Sequence, residues 1–217
     1  SDLDATIAGS TNFNNLTINS GATLKPLTNN AIQIAGNFTL NGGFGSGVIE
    51  NTVTFTGTNQ TIPVPSGSLL AYHNLIINAT GAVFPGSLNV AGNLTLNQSV
   101  DFTGKTIVMN GSESQTIDGS AAPTFNNLTI NNSDDGVTLG NNAFVNGTLT
   151  LTSGHLVLGN YNLTLGSAAV SGAFSANNMI VADGSGEVRR IFTNTGSYTF
   201  PVGDNTSTAE YSPITVS

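Results

Sequence analysis

Cysteine and tryptophan are absent from this 217-residue chain, and charge is scarce: four Lys and Arg stand against twelve Asp and Glu, for a net charge of −8. Without cysteine, the disulfide framework of a small secreted eukaryotic domain is excluded. A cysteine-free β-repeat fits a bacterial exported protein better than a cytosolic enzyme. Four basic residues cannot build the patches that phosphates require, so nucleic acid is excluded as a partner. Good helix formers are few, with two Lys, two Arg, two Met and four Glu, which argues against helices. No apolar run approaches transmembrane length and no segment reads as a signal peptide, so membrane insertion is not expected.

What the chain has in quantity is Thr (29), Asn (29) and Gly (26). Thr favours strands, while Asn and Gly favour turns and left-handed backbone. Leu, Ile, Val and Phe recur in short alternating runs, which is the pattern of ordered β-structure and not of disorder. The class is all-β.

Self-similarity sets the organisation. Phe13-Asn14-Asn15-Leu16-Thr17-Ile18-Asn19 recurs unchanged at 125–131, with the variant Tyr72-His73-Asn74-Leu75-Ile76-Ile77-Asn78 between them. A second motif follows within each unit: Ala35-Gly36-Asn37-Phe38-Thr39-Leu40-Asn41, then Ala91-Gly92-Asn93-Leu94-Thr95-Leu96-Asn97, then Val145-Asn146-Gly147-Thr148-Leu149-Thr150-Leu151. Gln60-Thr61-Ile62 and Gln115-Thr116-Ile117 close the first two units. Each motif alternates at strand period, with Leu16 and Ile18 facing one way and Asn15, Thr17 and Asn19 the other.

Apolar runs every six to nine residues, separated by Gly, Asn and Ser, predict a parallel β-helix, three-sided, with coils of about 18–20 residues stacked on one another. Solenoid units are expected near 13–71, 72–124 and 125–170 within residues 1–170. Thr6-Ile7 reads as the tail of a preceding unit, so the array is expected to continue one of greater length. From about Ser171 the repeat decays, and 171–217 is expected to be a terminal coil, cap or transition segment.

These motifs, together with Tyr198-Thr199-Phe200-Pro201-Val202-Gly203 and Tyr211-Ser212-Pro213-Ile214-Thr215-Val216, resemble the β-strand repeat proteins of the Bacteroidetes. That family comprises large surface or secreted proteins, often adhesin-like, exported by the type IX route. The resemblance implies an extracellular or cell-surface location. It also implies flanking repeats of the same polypeptide and a host or environmental surface, or a glycan, as partners.

Chemistry is thinly represented. His73 and His155 lie far apart, with no zinc-binding spacing. Asp134-Asp135 is the adjacent carboxylate pair, placed as a loop insertion after a repeat motif, and a calcium ion is the cofactor it would hold. The outward rows form the other candidate site. Thr17, Thr39, Thr95, Thr129 and Thr150 head rungs of Thr and Asn that could present a flat, uncharged face to a glycan or to ice. The expected function is non-catalytic, as an adhesin stalk or surface-presentation segment. A glycan- or ice-binding module is the alternative, and a polysaccharide-active β-helix enzyme is a second alternative that the fold class allows.

Overall fold

Strict alternation of apolar and small polar residues needs every second side chain inside. A chain that turns a corner every few residues meets that need by winding. The structure, a computed structural model, describes residues 3–45, 50–65, 72–134, 136–167 and 170–217. Among the described residues there is no helix, and the strands wind into a parallel β-solenoid.

The spine is a sheet of eleven strands that runs from Thr11–Phe13 to Val202–Asp204 in parallel, then adds Glu210–Tyr211 antiparallel. Its register gives the coil length. Thr11 pairs with Ile32, Ile32 with Val53, Val53 with Leu75, Leu75 with Leu94 and Leu94 with Ile117. Ile117 then pairs with Leu139, Val137 with Leu156, Leu156 with Ile180 and Ile180 with Val202. Most of these steps exceed the coil length expected from the sequence, because the corners carry loops. The shortest are Leu75 to Leu94 and Val137 to Leu156. The longest, Leu156 to Ile180, contains the loop 173–179.

Two further sides are formed among the described residues. A four-stranded sheet runs from Thr124–Phe125 to Val188–Arg190, and a five-stranded sheet from Leu88–Val90 to Val170–Gly172. In the first coils these sides are the pair Leu16–Ile18 with Phe38–Leu40 and the trio Leu3–Ile7, Ala22–Pro26 and Gly43–Phe44. The interior is built of in-register columns. Ile32, Val53, Leu75, Leu94, Ile117 and Leu139 form one, and Leu88, Ile107, Leu128 and Leu149 another, all buried. Phe84, Phe102 and Phe125 stack with centroids 5.6 and 5.4 Å apart. Tyr72, in the repeat slot of Phe13 and Phe125, is buried against Phe44 and Phe55, and its hydroxyl donates to the Pro63 carbonyl. Burial also pushes the Tyr72 phenol well above its ordinary pKa. Each such side chain contributes about 1.5–3 kcal/mol by leaving water.

The paired motifs are one corner seen in two successive coils. Asn15 Oδ1 accepts the Asn37 N–H, Asn74 Oδ1 the Asn93 N–H and Asn127 Oδ1 the Thr148 N–H, each at 2.8 Å. The spacing from the first motif to the second is therefore a single coil in every unit. Asn93 repeats the bond one coil further, to the Thr116 N–H at 2.8 Å. The glycine of the second motif follows from this contact. A Cβ at Gly36, Gly92 or Gly147 would lie 2.4 to 2.5 Å from the Asn oxygen of the coil before.

Gly92→Ala is therefore expected to cost about 1–3 kcal/mol through forced overpacking. Gly86→Ala, whose Cβ would meet only Val64 at 3.8 Å, is expected to stay within about 0.5 kcal/mol. Urea denaturation of the two variants separates the cases, and equal midpoints would show that the corner is not close-packed.

The first motif does not mark one fixed side of the solenoid. Phe13-Asn14-Asn15 leads from the long sheet to the strand Leu16–Ile18. Tyr72, bridged to Val90 of the five-stranded sheet, leads into the long sheet at Asn74–Ile77. Phe125-Asn126-Asn127 leads from the four- to the five-stranded sheet. The same corner serves at three positions, so the units from Phe13 to Tyr72 and from Tyr72 to Phe125 are not whole numbers of coils.

Coil stacking continues past Ser171. Ile180–Val181, Val188–Arg190 and Val202–Asp204 all pair in parallel with the coil before. The antiparallel pairs follow, Glu210–Tyr211 on Val202–Asp204 and Ile214–Val216 on Tyr198–Phe200. Arg190 lies 3.8 Å from the ring centre of Tyr198, which packs edge-on against Phe200. Burial raises the Tyr198 phenol, opposed by the nearby Arg190 charge.

Candidate ligand groove and outward rows

The five Thr residues of the outward rows fall on three sheets. Thr17 and Thr39 are register partners on the strands Leu16–Ile18 and Phe38–Leu40. Thr95 lies on the long sheet between Ile76 and Asp118. Thr129 and Thr150 are neighbours on the five-stranded sheet, in a row with Asn89, Val108 and Ser171. The structure thus brings the five together as two pairs and a single residue. It does not set them on one plane. The Asn residues of the rungs serve a different purpose, since Asn15, Asn74, Asn93 and Asn127 commit their side-chain oxygens to the next coil.

Asp134 sits elsewhere, at the rim of a groove of about 750 Å³ on the outward side of the long sheet. The floor is Thr138 and Val157, register partners on adjacent coils. Ser133 and Asp134 form one wall, His155 and Asn177 come from the equivalent corner of the next two coils, and Asn205 reaches in from beyond the strand Val202–Asp204. Asp135, the second half of the expected calcium pair, lies outside the described residues. Among the described residues no group of three or more His, Cys, Asp or Glu is placed to hold a metal ion. Asp134 alone falls well short of the six to eight oxygens calcium takes.

Both loops that wall the groove are braced from inside. Asn132 is fully buried, and its Oδ1 accepts the N–H groups of Asp134 and Gly136 at 2.9 and 3.2 Å. Its Nδ2 donates to the Glu113 carbonyl and to Gln115 Oε1. Asn178 Nδ2 donates to the carbonyls of Thr152 and Ala173 at 3.1 and 3.3 Å, pinning the loop that carries Asn177. His155 Nε2 is 2.7 Å from the Ala176 carbonyl. A carbonyl only accepts, so Nε2 carries a proton.

His155 reads as solitary in the sequence, yet a signal for the groove is there. Asp134, His155 and Asn177 follow one another at the coil spacing. Residues at coil spacing stack.

Gln60 and Gln115 are a second constellation that the sequence marks without explaining. Both point inward. Gln115 Nε2 donates to the carbonyls of Val90 and Gly92 in the coil before, and its Oε1 accepts the Gly111 N–H at 2.8 Å and the Asn132 amide at 3.0 Å. Gln60 repeats this with the carbonyls of Ile34 and Gly36 and the Gly57 N–H. Strand alternation already places each Gln on the same side as the Ile two positions later.

A second cavity, about 540 Å³, lies under the closing antiparallel pair and is mainly apolar, with Val188, Phe200, Val202 and Ile214 in its lining. Its polar lining residues are Glu187, Asp204 and Ser212. No helix among the described residues is long and apolar enough to cross a membrane. No family model, curated protein or solved structure matches this chain.

Proposed function

We propose that the chain is a non-catalytic spacer segment of a large extracellular or cell-surface protein, holding other parts of that protein, or their binding surfaces, away from the cell. The observation that carries this reading is the unbroken parallel pairing of the long sheet from coil to coil over one continuous core. At one strand spacing per step the stack is about 43 Å long, and its stiffness comes from columns that cannot shear without losing burial. Corner Asn bonds and the inward braces of Gln60 and Gln115 tie coils to those before them, which is what a stack under tension needs. The motif resemblance to Bacteroidetes β-strand repeat proteins supports the location and an adhesin-like parent.

The enzymatic alternative has less behind it. Glycoside hydrolysis in its common form uses two carboxylates at a defined separation. Asp134 is the sole carboxylate among the described residues lining the groove, and Glu187 and Asp204 sit in the other cavity, whose lining is mainly apolar. The single-face ice or glycan reading is weakened by the spread of the Thr rows over three sheets.

The test is surface display of the chain with a binding domain fused to its tip. Thr17, Thr39, Thr95 and Thr129 changed together to Lys should leave both the fold and cell attachment within about twofold of wild type, since only Thr17 and Thr39 face each other and repel. A larger loss of attachment would replace the spacer reading with an adhesive one.

A further inference from the structure

We propose that the groove between the corners that carry Ser133 and Asp134 on one side and Asn177 on the other is a binding site for a short neutral oligosaccharide, lying along the solenoid axis across the long sheet. This goes beyond the spacer reading and stands independently of it.

Three observations carry it. The groove holds about 750 Å³, within the size range of small-ligand sites. Its lining crosses the strands Val137–Leu139 and Leu156–Val157 and follows the corners that carry Asp134, His155 and Asn177 on successive coils, two coil spacings or about 10 Å. Sugar rings and strand spacings are similar in length, so successive rings would meet equivalent positions on successive coils.

The chemistry of the lining selects the ligand class. Hydroxyls of Ser133, Thr138 and Ser153 and amides of Asn177 and Asn205 both donate and accept, as sugar hydroxyls do. Asp134 adds an acceptor without a donor, and Val157 offers an apolar patch to a sugar's C–H face. No Lys or Arg is among the described lining residues, and the chain carries net −8. Polyanions such as uronates or sulfated glycans are therefore disfavoured, both by the missing cation and by Asp134.

The loops are held before any ligand arrives. Asn132, fully buried, fixes the wall bearing Ser133 and Asp134, and Asn178 fixes the wall bearing Asn177. A pre-ordered site avoids much of the ordering cost that weakens flexible polar sites.

Calorimetric titration with gluco-, xylo- and manno-configured tetrasaccharides, and with a tetragalacturonate as charged counterpart, tests this. At least one neutral tetrasaccharide is expected to bind. The double variant Asp134→Ala with Asn177→Ala, both exposed and so tolerated by the fold, should weaken binding about tenfold or more, the loss of roughly one good hydrogen bond. Thr39→Lys, on another sheet, should leave it unchanged, and circular dichroism checks that each variant is folded. The proposal is overturned if no neutral tetrasaccharide binds with a Kd of about 10 mM or tighter. It is equally overturned if the double variant binds as well as wild type, if the uronate binds more tightly, or if binding is abolished by a calcium chelator.

Discussion

Leu128→Asp is expected to unfold the central coils, at a cost above about 4 kcal/mol, whereas Thr129→Ser next to it should change stability by about 0.5 kcal/mol or less. Leu128 is fully buried and stands in register between Ile107 and Leu149. A carboxylate there would meet only hydrocarbon from the coils on either side, with no cation or donor in the column. It must either take up a proton, raising its pKa, or leave the interior. Thr129 faces outward beside Val108 and Thr150. Against a total stability of about 5–15 kcal/mol for a domain, the Asp variant loses a large fraction and the Ser variant almost nothing. Because coils touch only their neighbours, hydrogen exchange should accelerate first in Ile107–Met109, Leu128–Ile130 and Leu149–Leu151. Ile32–Ile34 and Val53–Phe55 should stay protected longer. Equal denaturation midpoints for the two variants would mean that the strand faces have been assigned the wrong way round.

That pair of residues also shows why the fold is readable in the sequence. Leu128-Thr129-Ile130 alternates, and its partners Ile107-Val108-Met109 and Leu149-Thr150-Leu151 place apolar residues at the same phase. Any winding that stacks them in register buries all three sets. The coil length is readable only in the spacing of the two motifs, which is one coil because the corner Asn of one bonds the next directly. The six-to-nine-residue apolar runs give a coil that is too short, because they leave out the corner loops. Sheet membership is not readable. A Phe-Asn-Asn corner has no feature that distinguishes one edge of a three-sided coil from another. Coil lengths also vary, from the short step between Leu75 and Leu94 to the long one between Leu156 and Ile180. Over several coils the phase drifts, and Thr17, Thr95 and Thr129, alike in sequence, end on different sheets.

The groove is hidden for a related reason. Asp134 belongs to an insertion, and an insertion tells a reader that a loop projects without saying what it projects toward. Only the stacking of that corner over those bearing His155 and Asn177 makes a wall, and the brace that holds it, Asn132, looks like one Asn among 29. Composition conceals such a residue, because Asn is the common corner residue of this chain and its burial leaves no local trace.

Gln115 is where polar chemistry and folding energy meet, and its replacement should give the second large effect. Its amide ties three elements together: the coil before through the carbonyls of Val90 and Gly92, its own turn through the Gly111 N–H, and the groove loop through Asn132. Gln115→Leu preserves the volume but takes away every partner of the Gly111 N–H shown here. At about 1–3 kcal/mol per buried group left unsatisfied, the expected loss is about 3–5 kcal/mol. Gln115→Glu makes the prediction sharper by adding a pH dependence. A carboxylate at this position would point one oxygen at the Val90 and Gly92 carbonyls, which can only repel it, while a protonated carboxyl could donate to one of them. The folded-state pKa should therefore rise above the value of about 4.3 expected in the unfolded chain. With the folded pKa raised, stability is retained below the unfolded value and falls as the pH climbs through the folded one. Relative to wild type at each pH, Gln115→Glu should be nearly neutral at about pH 4 and approach the loss of Gln115→Leu by about pH 7. Denaturant titrations of the three proteins across that range decide the matter. A Gln115→Glu penalty that stays flat with pH would show that the side chain is not enclosed by those carbonyls, and that the inward brace is not what locks one coil to the next.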